Sequence, residues 1–415
     1  MSDTAARSID TDEGMASTRL VQAGLSPTRR LLLRILQRLS HGSLSVVLPG
    51  GARLDRRGAH PGPEATILLH RWRSLWRLLT GGDIGFAEAY MEGDWSSPDL
   101  AALIELAAHN EHALPGSGRP SLPLRLANRL FHLLHANTRA GSKRNIMAHY
   151  DLGNEFYRAW LDEGMSYSSA IFSTEAETLE SGQSAKQDRV LELLGAREGD
   201  RVLEIGCGWG GLARRIAEVG CHVTGLTLSP SQLDYASKHL AGSGLAGRSD
   251  LRLQDYRDVE GQFDFIVSIE MFEAVGEEYW PAYFAAIRNR LRPGGRAVLQ
   301  IITIANDRFA TYRAGTDFIQ RYIFPGGMLP SPEVLEARIG EAGLSIVSRE
   351  TFGESYARTL QLWRERFNEN WPRISGPAMP ERFRRMWDYY LAYCEGGFRA
   401  GSIDVALYVI RHDRL

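Results

Sequence analysis

The sequence predicts an α/β protein in which a smaller α+β domain precedes an open, mostly parallel sheet with helices on both faces. The main observation is a regular alternation of apolar strand-like runs and amphipathic helical segments from Val202 onward. The second is the glycine-rich turn Gly206–Gly211, which separates the first run from a helical pattern. The third is the stretch Gly42–Asn110, where short strand and helix patterns mix without that alternation.

Length and composition exclude several classes of protein. The chain of 415 residues exceeds one typical domain, and its 44% hydrophobic and 24% charged residues are typical of globular proteins. A net charge of −2 gives no basis for bulk nucleic-acid binding, so we expect no nucleic-acid partner. No apolar run approaches the roughly 20 residues of a membrane span. Any membrane contact is therefore expected to be peripheral. The three cysteines match neither a disulfide framework nor a metal site, so we expect a cytoplasmic protein.

Changes in composition divide the chain into four segments. Residues 1–17 are small, polar and acidic, which predicts a disordered tail. Residues 18–110 are the predicted N-terminal α+β domain. Residues 111–142 combine a linker rich in proline and glycine with a helix, Leu124–Asn137, that is expected to bridge the domains. Residues 143–415 are the predicted second domain, which contains the glycine-rich turn.

A basic amphipathic helix opens the N-terminal domain. Ser26 and Pro27 supply a cap and a first-turn proline, and the body Arg29–Leu39 intersperses arginines with leucines. Such a helix can lie on an anionic bilayer, or it can pack its apolar side on its own domain. Both interpretations stay open, and the first makes this a lipid-associated domain.

Short elements fill the rest of the N-terminal domain. Strands are predicted at Ser43–Leu48 and Ala65–Leu69, and helices at Trp72–Leu79 and Leu100–Ala108. Four aromatic residues of this region are predicted to be core rather than a ligand cage: Trp72, Trp76, Tyr90 and Trp95.

The second domain follows the α/β pattern throughout. The predicted strands are Val202–Ile205, His222–Leu226, Leu251–Leu253, Phe263–Ile269, Ala297–Ile304, Leu344–Glu350 and Asp404–His412. The predicted helices are Ala185–Leu194, Ala213–Val219, one opened by a capping box at Ser229 and Gln232, and Pro281–Leu291, which Pro293-Gly294-Gly295 stops. Insertions at Asp307–Pro330 and Ser355–Phe398 are expected to roof a site beyond the sheet edge.

The glycine-rich turn has two common interpretations. A dinucleotide site needs an acidic residue about 20 positions on, but Gly225–Ser229 contains none. The other ligand is S-adenosylmethionine (SAM), which packs its methionine portion against such a loop. Glu204, just before the turn, is placed to bind the ammonium group of that portion. The missing acid therefore favours SAM.

Several further motifs resemble the cyclopropane-fatty-acyl-phospholipid synthase family, which includes the mycolic acid cyclopropane synthases. They are, in order, His149–Asn154, Met165–Ser168, Leu203–Gly211, Thr227–Ser229, Gln254–Asp258, Glu270–Glu273 and Tyr322–Pro325. The segment Phe86–Trp95 also resembles the two-domain bacterial members. The resemblance implies a Rossmann-like class I SAM methyltransferase acting on cis double bonds of acyl chains in phospholipids, at the inner face of the membrane. It also suggests a homodimer.

The resemblance implies a cofactor site position by position. The expected contacts, from the carboxylate of SAM to its adenine, are Tyr167, Ser168, Gly206, Gly208, Thr227, Gln232, Asp255, Tyr256 and Arg257. Among these, Thr227 and Gln232 are expected to bind the ribose in place of the missing acid.

A base site is implied as well. In the family, a bound bicarbonate ion accepts the proton after methyl transfer, and the matching positions here are Ser169, Glu273, Gln300, Ile302 and Tyr356. Ser169 replaces a cysteine and Gln300 replaces a histidine, so an anion would be held without a positively charged ring. Ala274 also stands where the family has a histidine, and Glu270 stands where cyclopropanating enzymes often have glycine.

The chemistry leaves the product open. Methyl addition to an alkene creates a carbocation, which aromatic faces stabilise, and the candidates are Tyr167, Phe272, Tyr322, Phe324 and Tyr356. Proton loss from the new methyl group closes a cyclopropane, whereas loss from the chain carbon leaves a methyl-branched alkene or a furan fatty acid precursor. A SAM-dependent N-methyltransferase and a non-catalytic SAM- or lipid-binding protein are the alternatives outside this chemistry.

Overall fold

The computed structural model describes residues 27–111, 152–376 and 379–412. The predicted tail, the bridging helix Leu124–Asn137 and the cap at Ser26 lie outside these residues. The N-terminal elements are α1 Pro27–Gln37, β1 His41–Val47, β2 Arg53–Arg57, β3 His60–Leu69, α2 Arg73–Met91, β4 Trp95–Ser96 and α3 Leu100–His109.

The second part of the chain contains the remaining elements. Its helices are α4 Asn154–Arg158, α5 Leu179–Leu194, α6 Gly211–Glu218, α7 Pro230–Gly242, α8 Trp280–Arg290, α9 Asn306–Ala314, α10 Phe318–Tyr322, α11 Pro332–Glu341, α12 Gly353–Ile374 and α13 Glu381–Arg399. Its strands are β5 Arg201–Ile205, β6 His222–Thr227, β7 Ser249–Leu253, β8 Phe263–Ile269, β9 Leu291–Ile304, β10 Ser345–Thr351 and β11 Ile403–Arg411.

The large sheet confirms the predicted fold class. Its strand order is β10-β11-β9-β8-β5-β6-β7, in which β11 is antiparallel to both neighbours and the other pairs are parallel. The order reverses beside β5, and ligands bind at such a switch point at the carboxyl ends of the strands. One boundary differs from the prediction. Helix α8 ends at Arg290, and Pro293-Gly294-Gly295 already belong to β9 rather than to a helix stop.

The small sheet has the order β2-β1-β3-β4, with β1 parallel to β3 and antiparallel to β2. Strand β2 was not predicted, because its sequence Arg-Leu-Asp-Arg-Arg lies on an exposed edge and lacks an apolar run. Helix α2 is much longer than predicted. It continues through a kink at Gly82, whose φ of 59° and ψ of −140° are not helical.

Aromatic residues of the N-terminal region have mixed positions. Trp95 and Tyr90 are buried as predicted, with exposed fractions of 0% and 7%. The prediction was wrong for Trp76, which is 55% exposed. The neighbouring Leu75 takes the inward position on α2 and is 5% exposed, so Trp76 faces away from the core.

A continuous hydrophobic core joins the small sheet to the helices above the large sheet. Trp95 and Leu69 belong to the same cluster as Trp363 of α12 and Tyr389 of α13. The predicted insertions are therefore helical as expected, and they also pack on the N-terminal elements. None of the helices in the described residues is both long and apolar enough to cross a bilayer.

Candidate active site

A large cavity extends from the carboxyl end of the large sheet to the small sheet. Its volume is about 1390 Å³, above the roughly 300–1,000 Å³ of a pocket for one small ligand. The glycine loop lines one end, Glu270 and Tyr356 line the middle, and apolar side chains of α1 and α2 line the other end. The cavity therefore has room for a nucleotide-sized ligand and an apolar one in contact with it.

The glycine loop between β5 and α6 requires residues without side chains. Gly206, Gly208 and Gly210 have φ values of 86°, 51° and 87°. A Cβ atom on Gly210 would lie 2.9 Å from the Cβ of Ala236, whereas nothing lies within 4 Å of one on Gly208. Gly206 and Gly208 both line the cavity. A ligand can thus approach bare backbone at this end.

Glu204 supplies a buried carboxyl group beside the loop. Its side chain is buried, lines the cavity, and has no hydrogen-bond partner for Oε2 among the described residues. Burial raises the pKa of Glu204 to about 8, although the charge of Lys186 opposes the shift. A buried carboxylate without a partner is costly. The ammonium group of SAM would satisfy it, so this residue fits the expected cofactor.

Thr227 and Gln232 meet at the end of β6, where both line the cavity. The hydroxyl of Thr227 donates to Oε1 of Gln232 at 3.0 Å. The predicted capping box is only half formed. Ser229 accepts a bond from the backbone N–H of Gln232, but the Gln232 side chain bonds Thr227 instead of returning to Ser229. Its position beside Thr227 suits a ribose.

The three residues expected at the adenine separate into two groups. Tyr256 lines the cavity, whereas Asp255 and Arg257 do not. Arg257 donates from Nε and Nη2 to the two oxygens of Asp255, at 2.8 and 2.6 Å. The guanidinium of Arg257 also lies 5.6 Å from the centre of the Tyr256 ring. The structure therefore makes Asp255 and Arg257 supports for Tyr256 rather than parts of the wall, because each satisfies the other's charge.

Tyr167 and Ser168 line the cavity near the glycine loop. The hydroxyl groups of Tyr167 and Tyr390 are 2.7 Å apart. Lys186 donates from Nζ to Oγ of Ser168 at 2.7 Å and is almost fully buried. Burial lowers the pKa of Lys186, and the carboxylates of Glu270, Asp162 and Glu204 oppose that shift. A lysine is thus held among acids at the boundary between the two ends of the cavity.

Glu270 collects three donors from distant parts of the chain. The N–H of Ser169 and Nε2 of Gln300 donate to its Oε1 at 2.9 and 2.6 Å. The hydroxyl of Tyr356 donates to its Oε2 at 2.5 Å. Burial raises the pKa of Glu270, while these donors and Lys186 oppose the shift.

Two of the residues predicted to face an anion do not reach the cavity. Glu270 and Tyr356 line it, but Ser169 and Gln300 do not, and both are completely buried. The hydroxyl of Ser169 donates to the carbonyl oxygen of Ala170 rather than toward the cavity. In this structure Ser169 and Gln300 therefore contact the Glu270 carboxylate, which lies between them and the cavity.

Glu273 and Ile302 form a second, simpler contact. The N–H of Ile302 donates to Oε1 of Glu273 at 2.5 Å, and Oε2 has no partner among the described residues. Burial raises the pKa of Glu273 to about 8, and the nearby charge of Glu270 adds to the shift. Glu273 is therefore mostly protonated at neutral pH.

The structure separates the aromatic candidates. Tyr167, Phe324 and Tyr356 line the cavity. Phe272 is core, packed on Trp280 and neighbouring rings. Tyr322 is also absent from the wall, and its hydroxyl donates to Glu88 at 2.6 Å.

Three parts of the site escaped the sequence analysis. Glu270 was noted only as a departure from glycine, because its donors are far apart in sequence. Lys186 lies within a polar helix, where nothing in the pattern marks it as buried. The leucines of the first helix indicate an apolar side, but the sequence does not tell that Leu32 and Leu36 form a cavity wall together with Leu79 of α2.

Residues 137–408 match the model of the family described as mycolic acid cyclopropane synthetase. The chain belongs to this family. Tuberculostearic acid methyltransferase UfaA1 of Mycobacterium tuberculosis is 39% identical over 416 residues, covering 97% of this chain and 96% of the relative. Cyclopropane-fatty-acyl-phospholipid synthase of Escherichia coli is 39% identical over 335 residues, covering 79% and 83%.

A solved member of the mycolic acid cyclopropane synthetase family matches the fold. It is mycolic acid cyclopropane synthase CmaA1 complexed with SAH and CTAB, with a TM-score of 0.58 and 31% identity over 65% of this chain and 97% of that one. Membership makes this chain a SAM-dependent methyltransferase of lipid acyl chains, which confirms the predicted class of enzyme and cofactor. The alternative of a non-catalytic binding protein is thereby excluded.

Proposed function

We propose that this enzyme transfers a methyl group from SAM to the cis double bond of an unsaturated acyl chain carried by a membrane phospholipid. The observation that supports this most is the continuity of the cavity. Cofactor-type residues such as Glu204 and Gly208 line the same continuous cavity as the apolar side chains Leu32, Leu36 and Leu79. An acyl chain in the apolar end can therefore present an alkene to a methyl donor at the loop.

Helix α1 supports a phospholipid rather than a free fatty acid. Leu32 and Leu36 on its inner side are buried and line the cavity. Arg30 and Arg34 are exposed on its outer side, and Arg38, which is also exposed, directly follows its last residue Gln37. An arginine stripe on the outer side suits lipid phosphate groups, while the inner side suits acyl chains. The inward packing of its leucines agrees with one sequence interpretation, and the exposed side chain of Arg34 supports the proposed contact with an anionic bilayer.

The chemistry requires a dry, preorganised cavity. Bound SAM supplies an electrophilic methyl group. The residues of the chain keep water away from the reacting carbons, because an alkene is a weak nucleophile and its carbocation is easily captured. The rings of Tyr167, Phe324 and Tyr356 in the cavity wall present negative faces that stabilise a cation without reacting with it.

The first candidate product is a cyclopropane fatty acid, the type of product for which the family is named. A methyl-branched chain without ring closure is the second candidate. One observation favours it: a relative that matches nearly the full length of the chain is named a methyltransferase rather than a cyclopropane synthase. Ser169, Gln300 and Ala274 differ from the residues that the family has at these positions. These differences are consistent with proton loss from the chain carbon rather than from the new methyl group. The enzyme is proposed to act as a peripheral, homodimeric protein at the cytoplasmic face of the membrane.

The test is incubation of the purified enzyme with methyl-labelled SAM and vesicles of monounsaturated, anionic phospholipid. We expect label in the acyl chains and none when the vesicles contain only saturated chains. Fragmentation mass spectrometry after hydrogenation separates a ring from a branched alkene, which share a mass. Label confined to free fatty acids, or to a head-group nitrogen, would contradict the proposed substrate.

A further inference from the structure

The backbone at Glu270 is unusual. Its φ is 49°, a left-handed conformation that, among the non-glycine residues described, only Met165 shares. Such conformations are costly for residues with a side chain, and they concentrate at functional sites. Glu270 directly follows β8, so the strained residue lies at the carboxyl edge of the sheet, where its carboxylate lines the cavity.

The surroundings of Glu270 are built to hold a carboxylate. Its three donors come from the segment before α5, from β9 and from α12, and each is buried. Hydrogen bonds to an ionised acceptor are stronger than neutral ones, and several donors favour the charged form. The donors belong to Ser169, Gln300 and Tyr356, where the resemblance had predicted a separate anion. The Glu270 carboxylate thus accepts the hydrogen bonds from the residues that the resemblance had assigned to that ion.

Burial raises the pKa of both acids of the site, but their hydrogen-bonding surroundings differ. Glu270 has three donors and lies near the positive charge of Lys186, whereas Glu273 has one donor and a like charge beside it. Other titratable groups nearby include Glu204, Asp162, Tyr167, Tyr356 and Cys394. Two neighbouring buried carboxylates do not both ionise readily, so the acid with more donors keeps the charge. At neutral pH a proton acceptor is therefore more available at Glu270 than at Glu273.

We propose that Glu270 is the catalytic base of the methyl transfer, a carboxylate carried by the chain itself in place of a bound bicarbonate ion. This inference rests on the proposed function. Tyr356, Gln300 and the backbone of Ser169 are its positioning groups, because they hold the carboxylate without taking the proton.

The step balances without a further reactant. The alkene π electrons form the new carbon–carbon bond to the methyl group, and the electrons of the broken carbon–sulfur bond remain on sulfur. The other alkene carbon becomes a carbocation. Glu270 then takes a proton from a carbon next to the cation, or from the new methyl group, and the electrons of that C–H bond form the double bond or the ring. The protonated Glu270 returns its proton to solvent before the next turnover.

The first experiment compares Glu270→Gln, Glu273→Gln and the exposed control Glu260→Gln in the labelled-SAM assay, in buffers with and without bicarbonate. Glutamine preserves the packing, since its oxygen can accept from Ser169 and Gln300 while its amide nitrogen donates to the Tyr356 hydroxyl. We expect Glu270→Gln to lose about 100-fold or more in turnover, the range for a lost general base. Glu273→Gln should lose less, and the control should match the wild type.

Binding and ion dependence supply readouts independent of turnover. S-Adenosylhomocysteine should raise the melting temperature of Glu270→Gln as it does that of the wild type. Wild-type turnover should not depend on bicarbonate. Turnover of Glu270→Gln within about threefold of the wild type, or a wild-type rate that collapses when bicarbonate is removed, would overturn the assignment.

A second variant, Glu270→Gly, tests whether the carboxylate occupies an anion site. Glycine adopts the left-handed backbone without strain and leaves the donors of Ser169, Gln300 and Tyr356 facing a carboxylate-sized space. Added bicarbonate should raise the melting temperature of Glu270→Gly, but not that of the wild type, and should restore part of its turnover. A folded Glu270→Gly that responds to bicarbonate in neither measurement would count against the proposal.

The failure of this inference is distinguishable from the failure of the proposed function. If the wild type labels acyl chains while the Glu270 variants behave like it, only the base assignment falls. If the wild type labels no acyl chain, the proposed function falls and the base assignment falls with it.

Discussion

The hydroxyl of Tyr90 donates a buried hydrogen bond of 2.6 Å to Oδ2 of Asp388, across 298 positions of sequence. Tyr90 lies on α2 beside the small sheet, and Asp388 lies on α13 above the large sheet. Asn368 of α12 donates to the other oxygen of Asp388 at 2.8 Å. The bond therefore fixes the N-terminal wall of the cavity to the helices that roof it.

Tyr90→Phe should destabilise the protein by about 1–3 kcal/mol, because it leaves a buried carboxylate oxygen of Asp388 without its donor. Denaturant unfolding measures this loss. Glu92→Gln removes a more exposed contact between the same helices, the 2.8 Å ion pair with Arg382. That variant should lose less than about 1 kcal/mol. Equal losses in the free energy of unfolding of the two variants would show that the buried hydrogen bond stabilises the protein no more than the exposed ion pair does.

Binding of S-adenosylhomocysteine at pH 7 should release a proton from Glu204. In the free protein burial holds the pKa of Glu204 at about 8, so the carboxyl is mostly protonated at pH 7. A bound ammonium group favours the charged form and lowers this pKa, so affinity should rise as the pH increases from 6 to 7.5. Calorimetry in buffers of different ionisation enthalpy measures the released proton.

The control for this linkage is Glu204→Gln. It should abolish the proton release and weaken binding by about tenfold or more, the weight of a hydrogen bond to a charged group. An enthalpy that is independent of buffer in the wild type would contradict the assignment of Glu204 to the ammonium group.

Leu79→Trp should narrow the apolar end of the cavity, because Leu79 lies in its wall on α2. We expect turnover of long acyl chains to fall by about tenfold, with a smaller loss for short chains, since the added ring occupies space that only a long chain needs. Affinity for S-adenosylhomocysteine should not change. Leu253→Trp is the matched control, because Leu253 is 45% exposed and lies outside the cavity wall. Equal losses for all chain lengths would place the acyl chain elsewhere.

Replacing Arg34 and Arg38 together by glutamine should weaken binding to anionic vesicles by about thirtyfold, at about 1 kcal/mol for each arginine near the surface. Both side chains are exposed on the outer side of α1. Cosedimentation at low and high salt measures the effect, and the difference between variant and wild type should shrink at high salt. The control is Lys238→Gln with Arg248→Gln, on the α7–β7 side of the large sheet. If the control weakens binding as much, then net charge and not α1 governs the interaction.

The sequence was sufficient for the large sheet because its buried strands are continuous apolar runs, as in Phe263–Ile269. It was insufficient for β2, whose side chains are mostly exposed. The cofactor end was predictable because Glu204, Gly206 and Gly208 are adjacent in sequence. The surroundings of Glu270 were not predictable from the sequence. Its hydrogen-bond donors lie at positions 169, 300 and 356, which only the tertiary fold brings together.

The cavity has walls of separate origin. Residues between Leu32 and Ala108 contribute the apolar end, and the large sheet with the helices above it contributes the loop and the acids. Natural variation in α1 and α2 can thus alter which lipid is accepted while the proton chemistry is inherited unchanged. We expect relatives with a glutamate at the position of Glu270 but different N-terminal leucines to form the same type of product from different lipid substrates.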